Sequence, residues 1–550
     1  MKKTVWSNIE KYARGQTMGT LWHNGSIYTM QTEYDRVEAI FTENGLIIEV
    51  GEASTLRNTY QDMITNEINL QGQMLIPGLV DSHLHLIGHG EKLMRLDLSK
   101  MKSRAEILQA LLEKCAQTPA GEWIIAEGWN ENEWQDSTLI LRDDLDQLSN
   151  EHPLILKRVC RHAVVVNSLA MTISGIEENI EQPFGGVIGR YKDDRLNGMF
   201  KEDPALKLIM NHLPGITEEY VRRALTVSIR DCHRLGLTGG HSEDLHYYNG
   251  FLPTYQAFVS VIEEAGLPFR VNLLVHNKVV DDMKESGYGY RSKRGLIELD
   301  AMKIFADGSL GGNTALLSHP YHDRPETQGV AIYTENELHD LVQKARNYEM
   351  PIAVHAIGDL AFEMVLNAIC TYPPKLGLRD RLIHAQIMRH DLLDRAKELP
   401  VIFDIQPGFV PSDFPWVIDK VGKDHMAANY AWKTYMEKGI QCAGGSDAPI
   451  EPVDPLLGIH AAVTRRKPFD ADQTIYGEKE CLSLFEALSL YTTGSAYAIG
   501  QEESRGKIAP GYIADFTVFE NDLYTVHPDE WLEIEAAMTV VNEQIVYVKK

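Results

Sequence analysis

The stretch Leu75-Ile76-Pro77-Gly78-Leu79-Val80-Asp81-Ser82-His83-Leu84-His85 runs from an apolar segment into two histidines spaced i, i+2. In a β-strand, side chains alternate between faces with period two, so both imidazoles point the same way. Two nitrogen donors on one rigid edge make half of a zinc site. His-x-His pairs are common by chance, so the reading turns on whether other segments bring ligands to the same place.

Downstream, short apolar runs alternate with longer helical patterns such as 218–234 and 335–348, the βα grammar of a parallel sheet. Candidate strands fall at 73–83, 235–241, 268–276, 300–305, 350–355, 381–386, 400–406 and 440–446. Eight such strands with helical crossovers predict a TIM-type (β/α)8 barrel, whose chemistry gathers at the C-terminal strand ends. The first two strands lie too far apart for one crossover, so about 90–210 reads as a large insertion after strand one, serving as a lid or substrate pocket. Further strands end in His355, His384 and Asp447. Singly, each histidine suits a hydrogen-bonded core position and Asp447 suits a helix cap; together they converge on one barrel edge.

Both chain ends have a β texture instead. Asn24-Gly25 and Asn44-Gly45 sit between β-prone residues, the signal for type I′ hairpins. Segments 511–520 and 538–548 are rich in β-branched and aromatic residues.

The 550 residues are 44% hydrophobic and 24% charged, which excludes disorder, collagen and coiled coil. A net charge of -25 repels phosphate backbones and anionic lipid, so neither nucleic acid nor a membrane surface is an expected partner. Six scattered cysteines without a CxxC pair suit a reducing compartment, and a cytoplasmic location is expected. Residues 1–16 lack the apolar run of roughly 7 to 15 residues of a secretory signal. No stretch reaches the ~18 apolar residues of a membrane span.

In this order, PGLVDSHLH (77–85), MKIFADGSLGG (302–312), IAVHAIGDLA (352–361), IHAQ (383–386) and GGSDAP (444–449) resemble the amidohydrolase superfamily. More narrowly, they resemble its branch of large metal-dependent hydrolases that includes N-substituted formamide deformylase (amidohydrolase family 3). The likeness runs nearly end to end and takes in GWNENEW (128–134) and RHAVVVNS (161–168); the branch has Asp where Asn130 stands. It implies a small composite β-sandwich of residues 1–76 plus 503–550 beside a hydrolase barrel at 77–502. It also implies one or two Zn2+ ions. His83 and His85 would hold the first, His355 and His384 the second, and Asp447 the first as well. Lys303 would bridge them after N-carboxylation by CO2, since an ammonium cannot bind a cation. Without the resemblance, Lys303 reads as a buried lysine paired with Asp307.

The implied chemistry is hydrolysis of a C–N bond. Zinc lowers the pKa of bound water from roughly 15.7 to about 7. The resulting hydroxide attacks a small amide or N-substituted formamide, and Asp447 carries the proton to the leaving nitrogen. Asp447, Lys303 and His384 form the expected catalytic set. Alternatives are a mononuclear hydrolase of a cyclic amide, urea or N-acyl amino acid, and a non-catalytic metal-binding regulator. Substrate-pocket candidates are His89, Trp129, Trp134, Arg158, His162 and His241. Asp307-Gly308-Ser309-Leu310-Gly311-Gly312 lacks the ending of a P-loop and reads as a tight turn. The expected partner is a small-molecule amide, and a barrel of this size is compatible with a homodimer.

Overall fold

The computed structural model describes residues 19–131, 134, 138–158, 163–213, 215–470 and 472–550. Eight strands form the scaffold of the site: β1 (Leu79–Leu84), β2 (Leu237–Ser242), β3 (Arg270–His276), β4 (Ile297–Phe305), β5 (Ile352–Ala356), β6 (Asp380–His384), β7 (Val401–Ile405) and β8 (Cys442–Gly444). Each pairs in parallel with the next. Just past the strand ends, β8 returns to β1: Asp447 N donates to His83 O and His85 N to Ala448 O, both at 2.7 Å. The sheet is thus a nearly closed parallel barrel in an α/β fold, as the eight expected strands required. β3, β6 and β7 are buried along their whole length, the pattern of strands covered on both faces. The helix Glu335–Asn347 starts where Thr334 and Glu337 cap each other reciprocally.

Two expectations are corrected. The segment 73–83 is two strands, because the chain changes sheets at Gly78. Met74–Pro77 pairs antiparallel with Phe516–Phe519 in a flanking sheet, and only Leu79–Leu84 enters the barrel. A Cβ at Gly78 would run into the Thr238 side chain, so the bend needs glycine. Asn44-Gly45 does make a hairpin between Arg36–Glu43 and Leu46–Gly51, with φ of 55° and 77°. Asn24-Gly25 does not: Gly19–Tyr28 runs through it as one strand, its register shifting between His23 and Ile27. There glycine permits close approach, since a Cβ would lie 2.6 Å from Gln73 O.

The flanking sheet joins Gly19–Tyr28, Arg36–Glu43, Leu46–Gly51, Ile64–Asn69 and Met74–Pro77 to Phe516–Phe519, Ala536–Val541 and Gln544–Val548 from the other end of the chain. Its core holds Trp22, Ile27, Ile40, Leu75, Phe516 and Val518. Together with the barrel it belongs to one compact unit, whose first segment ends at His89 and which resumes at Ser228 through Lys550. Gly90–Val227 is a second unit, built on a six-stranded sheet with its own apolar core. Among the described residues, no helix is long and apolar enough to cross a membrane.

The barrel interior contains a buried ion network. Arg381 on β6 donates to Asp404 Oδ2 on β7 at 2.8 Å, to Asp300 Oδ2 on β4 at 3.0 Å and to Ser82 O on β1 at 2.6 Å. His241 Nδ1 on β2 lies 3.2 Å from the same guanidinium. Removing one member leaves uncompensated buried charge, which costs several kcal/mol. Arg381→Met is therefore expected to destabilise the protein by about 3–5 kcal/mol, read as a marked fall in thermal midpoint; an unchanged midpoint would contradict the network's role. His233 offers a pH test. Its Nε2 donates to Pro268 O at 2.8 Å, and burial pushes its pKa down to about 4. The unfolded chain then binds the extra proton between the ordinary histidine value, roughly 6.5, and about 4. Stability from this group is present above that window and lost as pH falls through it. His233→Gln should flatten the thermal midpoint's dependence on pH across the window; an unaltered profile would rule the group out.

Candidate metal centre

β1 delivers His83 and His85, and the turn after β8 delivers Asp447. Asp447 Oδ1 lies 3.5 Å from His83 Nε2 and 3.5 Å from His85 Nε2. One ligand atom from each of the three fits within 4.8 Å of the others. The main chain beneath them is clamped, because the Asp81 carboxylate accepts from His83 N at 3.0 Å and from Ser446 N at 3.0 Å. Asp81 was not expected as part of the site. Its position two residues before His83, on the same strand face, was the available signal.

Three further groups close on the same space. Lys303 on β4 is fully buried, with Nζ 3.2 Å from His83 Nε2. His384 ends β6, its ring centroid 5.7 Å from that of His83 and 4.5 Å from that of His355 on β5. Outer partners orient the rings. His85 Nδ1 donates to Glu243 O at 2.6 Å, His384 Nδ1 to Gln406 Oε1 at 2.8 Å, and His355 Nε2 to Gly308 O at 2.9 Å. The opposite nitrogen of each imidazole is thereby left as the lone-pair donor. His384 and Asp447 have φ of 79° and 58°, in the left-handed region that is uncommon for non-glycine residues.

The electrostatics suit a cation. Burial, then the field of Lys303, pushes His83 well below the ordinary histidine value. Burial and His384 do the same to His355, while burial chiefly takes His384 down to about 4. His85 differs: burial lowers it, but the Asp447 hydrogen bond and the Glu243 field outweigh that and raise it to about 9. Burial would raise Asp447, yet His85, His384 and Lys303 hold it below the usual carboxylate range. Burial brings Lys303 down to about 8. The imidazoles of His83, His355 and His384 are neutral donors, and with the Asp447 carboxylate and the buried amine they make a donor set of the kind a metal ion takes; His85 must release a proton to join it.

Other expected residues lie elsewhere. Lys303 is not paired with Asp307, whose carboxylate accepts from Leu316 N, Ile357 N and Gly358 N. The Asp307–Gly312 segment is accordingly a pinned turn. His89 is held by Asp231 at 3.0 Å, and His241 faces Arg381 in the barrel interior. Trp129 and Trp134 pack in the core of the Gly90–Val227 unit, where Arg158 pairs with Glu131 at 2.9 Å. His162 lies outside the described residues. Glu243, Gln406 and Arg381 escaped notice because their partners are remote in sequence.

Comparison with known proteins accords with this geometry. Residues 66–547 match the amidohydrolase family. The YtcJ protein of Bacillus subtilis (strain 168) is 49% identical over 532 residues, covering 97% of this chain and 100% of YtcJ. The N-substituted formamide deformylase of Arthrobacter pascens is 23% identical, covering 95% of this chain and 97% of its own. Among solved structures, an uncharacterized metal-dependent hydrolase from Pyrococcus horikoshii OT3 superposes with a TM-score of 0.75 at 26% identity, covering 93% of this chain and 99% of that one. A match of this extent, around a cluster of buried histidines and a carboxylate at the barrel's strand ends, means that the chain belongs to the amidohydrolase family and is a metal-dependent hydrolase.

Proposed function

We propose that the protein hydrolyses the C–N bond of a small amide or N-substituted formamide, with zinc as its metal. The observation that carries this reading is the convergence of His83, His85 and Asp447 on one point, with His355, His384 and Lys303 beside it. In a two-metal form, His83, His85 and Asp447 would hold one ion and His355 and His384 the other, and Lys303, once carboxylated, would supply carbamate oxygens to both. A buried amine near neutrality supports that bridge, because only the free base adds CO2. The compact three-residue group alone favours the one-metal alternative with Lys303 unmodified.

When bound, such a metal supplies Lewis acidity and a water of lowered pKa. The chain's own residues do the rest. Asp447, kept ionised by its neighbours, accepts the proton of the attacking water and passes it to the leaving nitrogen. Glu243 O and Gln406 Oε1 hold the rings of His85 and His384 in fixed tautomers.

Trp129 and Trp134, named above as substrate-pocket candidates, are core residues of their own unit and give no argument about the substituent. Two other observations do. The relative from Arthrobacter pascens is named for N-substituted formamides. A cavity of about 240 Å³ touches Ser446 next to Asp447; Pro411, Val453, Pro455, Leu457 and Pro468 give it a mainly apolar wall, with Glu451, Asp454 and Lys467 also on its lining. Apolar lining of this kind favours an alkyl or aryl group.

Asp447→Asn is expected to retain metal while lowering kcat by about 10²–10⁴, measured on zinc-loaded protein with parallel elemental analysis; an unchanged kcat would remove Asp447 from the mechanism. In a hydrolysis screen, alkyl and arylalkyl formamides and amides should be cleaved. Turnover of polar ureas or N-acyl amino acids alone would overturn the substrate assignment.

A further inference from the structure

The metal ligands stand at the C-terminal ends of the barrel strands. Around the N-terminal ends of β1, β2 and β3 lies a different cavity, of about 20 Å³. Its walls include Val80, Thr238 and Arg270 of those strands, Ser495 of the helix Thr493–Ala498, and Arg505 and Lys507 of the segment that leads into the flanking sheet.

The charges around this cavity do not balance. Arg270 is neutralised, its Nε and Nη2 donating to the Asp515 carboxylate at 2.5 and 3.1 Å. Asp515 also accepts from Asn542 N at 2.6 Å. Glu298, the other carboxylate whose field reaches Arg505, accepts from Gln501 Nε2 with both oxygens at 3.1 Å. The Arg505 guanidinium makes no hydrogen bond or ion pair with any described residue, and neither does the Lys507 ammonium. Burial, then the field of Arg270, pulls the pKa of Arg505 down, and Asp515 and Glu298 offset only part of this. The field of Arg505 also reaches His241 on the same cavity wall, where burial and Arg381 help to keep the imidazole neutral.

The neutral side-chain donors nearby are already committed. Thr238 Oγ1 donates to Leu79 O at 3.1 Å, Ser495 Oγ to Thr492 O at 2.9 Å and Thr492 Oγ1 to Leu488 O at 2.9 Å. The side chains left to donate to a ligand are therefore cationic. Arg505 is anchored by its main chain, its N–H donating to Gln501 O and Ile513 N to Ser504 O, both at 3.0 Å. A charge withdrawn from water without a counter-charge is costly unless an anion supplies one. A space of about 20 Å³ has room for one water or one monatomic ion, which excludes a phosphate or a carboxylate metabolite.

We propose that this cavity binds one small monovalent anion, of the size and charge of chloride, on the Arg505 guanidinium and the Lys507 ammonium. Bound there, it neutralises the base of the barrel where the segments leading into the flanking sheet meet β1, β2 and β3. Occupancy thereby stabilises the folded chain, because the unfolded chain has no such site.

The test uses full-length protein in sodium gluconate, exchanged stepwise for sodium chloride at constant ionic strength. The thermal midpoint is expected to rise by about 1–3 °C and to saturate; bromide should act alike, and sulfate, too large for the cavity, should not. Arg505→Gln should lose the saturable rise, measured against its own midpoint in gluconate, at unchanged metal content. The second readout needs no variant: wild-type crystals soaked in sodium bromide should show an anomalous bromine peak in the cavity, in contact with Arg505. A flat wild-type midpoint, an undiminished response in Arg505→Gln, or cavity density without anomalous signal each overturns the proposal. If Arg505→Gln does not fold, the wild-type titration and the bromide density decide it.

Discussion

One guanidinium, that of Arg381, ties β6 to β1, β2, β4 and β7 from the inside of the barrel. A charge in that place is tolerated only because Asp300, Asp404 and the Ser82 carbonyl surround it, each at a defined distance. An apolar interior of the same volume would hold the strands as firmly and leave their register free to slip. The ion network instead makes register a condition of burial. The carbonyl of Ser82 adjoins His83, and Arg381 lies three residues before His384. The positions of ligands on β1 and β6 therefore depend on where the guanidinium settles.

Above this charged layer the environment changes. Burial keeps His83, His355 and His384 neutral, and the carboxylate of Asp447 faces them from the β8 turn. The barrel closes through that same turn, with Asp81 bridging β1 to Ser446 and Asp447 N bonded to His83 O. Closure and ligand placement are one event. The left-handed backbone at His384 and Asp447 is what allows side chains at the very ends of strands to turn inward over the centre.

Much of this was legible in residue order. The i, i+2 spacing of His83 and His85 announced a shared face, and eight apolar runs with polar ends outlined the barrel, because strand periodicity and burial are local signals. Asn44-Gly45 was legible for the same reason. Asn24-Gly25 was not, since the identical dipeptide serves close packing against Gln73, a contact set by another strand. The change of sheets at Gly78 depends on Thr238, and the roles of Arg381, Glu243 and Gln406 depend on partners tens to hundreds of residues away. Resemblance to a family supplied the ligand set. Only the folded chain revealed which nitrogen of the His85, His355 and His384 rings is held and which is left for chemistry.

The central claim is that this buried cluster binds metal. Its most direct test is elemental analysis of metal per chain, on protein expressed with zinc and bicarbonate and purified without chelators. The account predicts at least one ion per chain, two matching the two-metal form proposed above and one the three-residue form. A content near zero, in protein shown by its thermal unfolding to be folded, would contradict it.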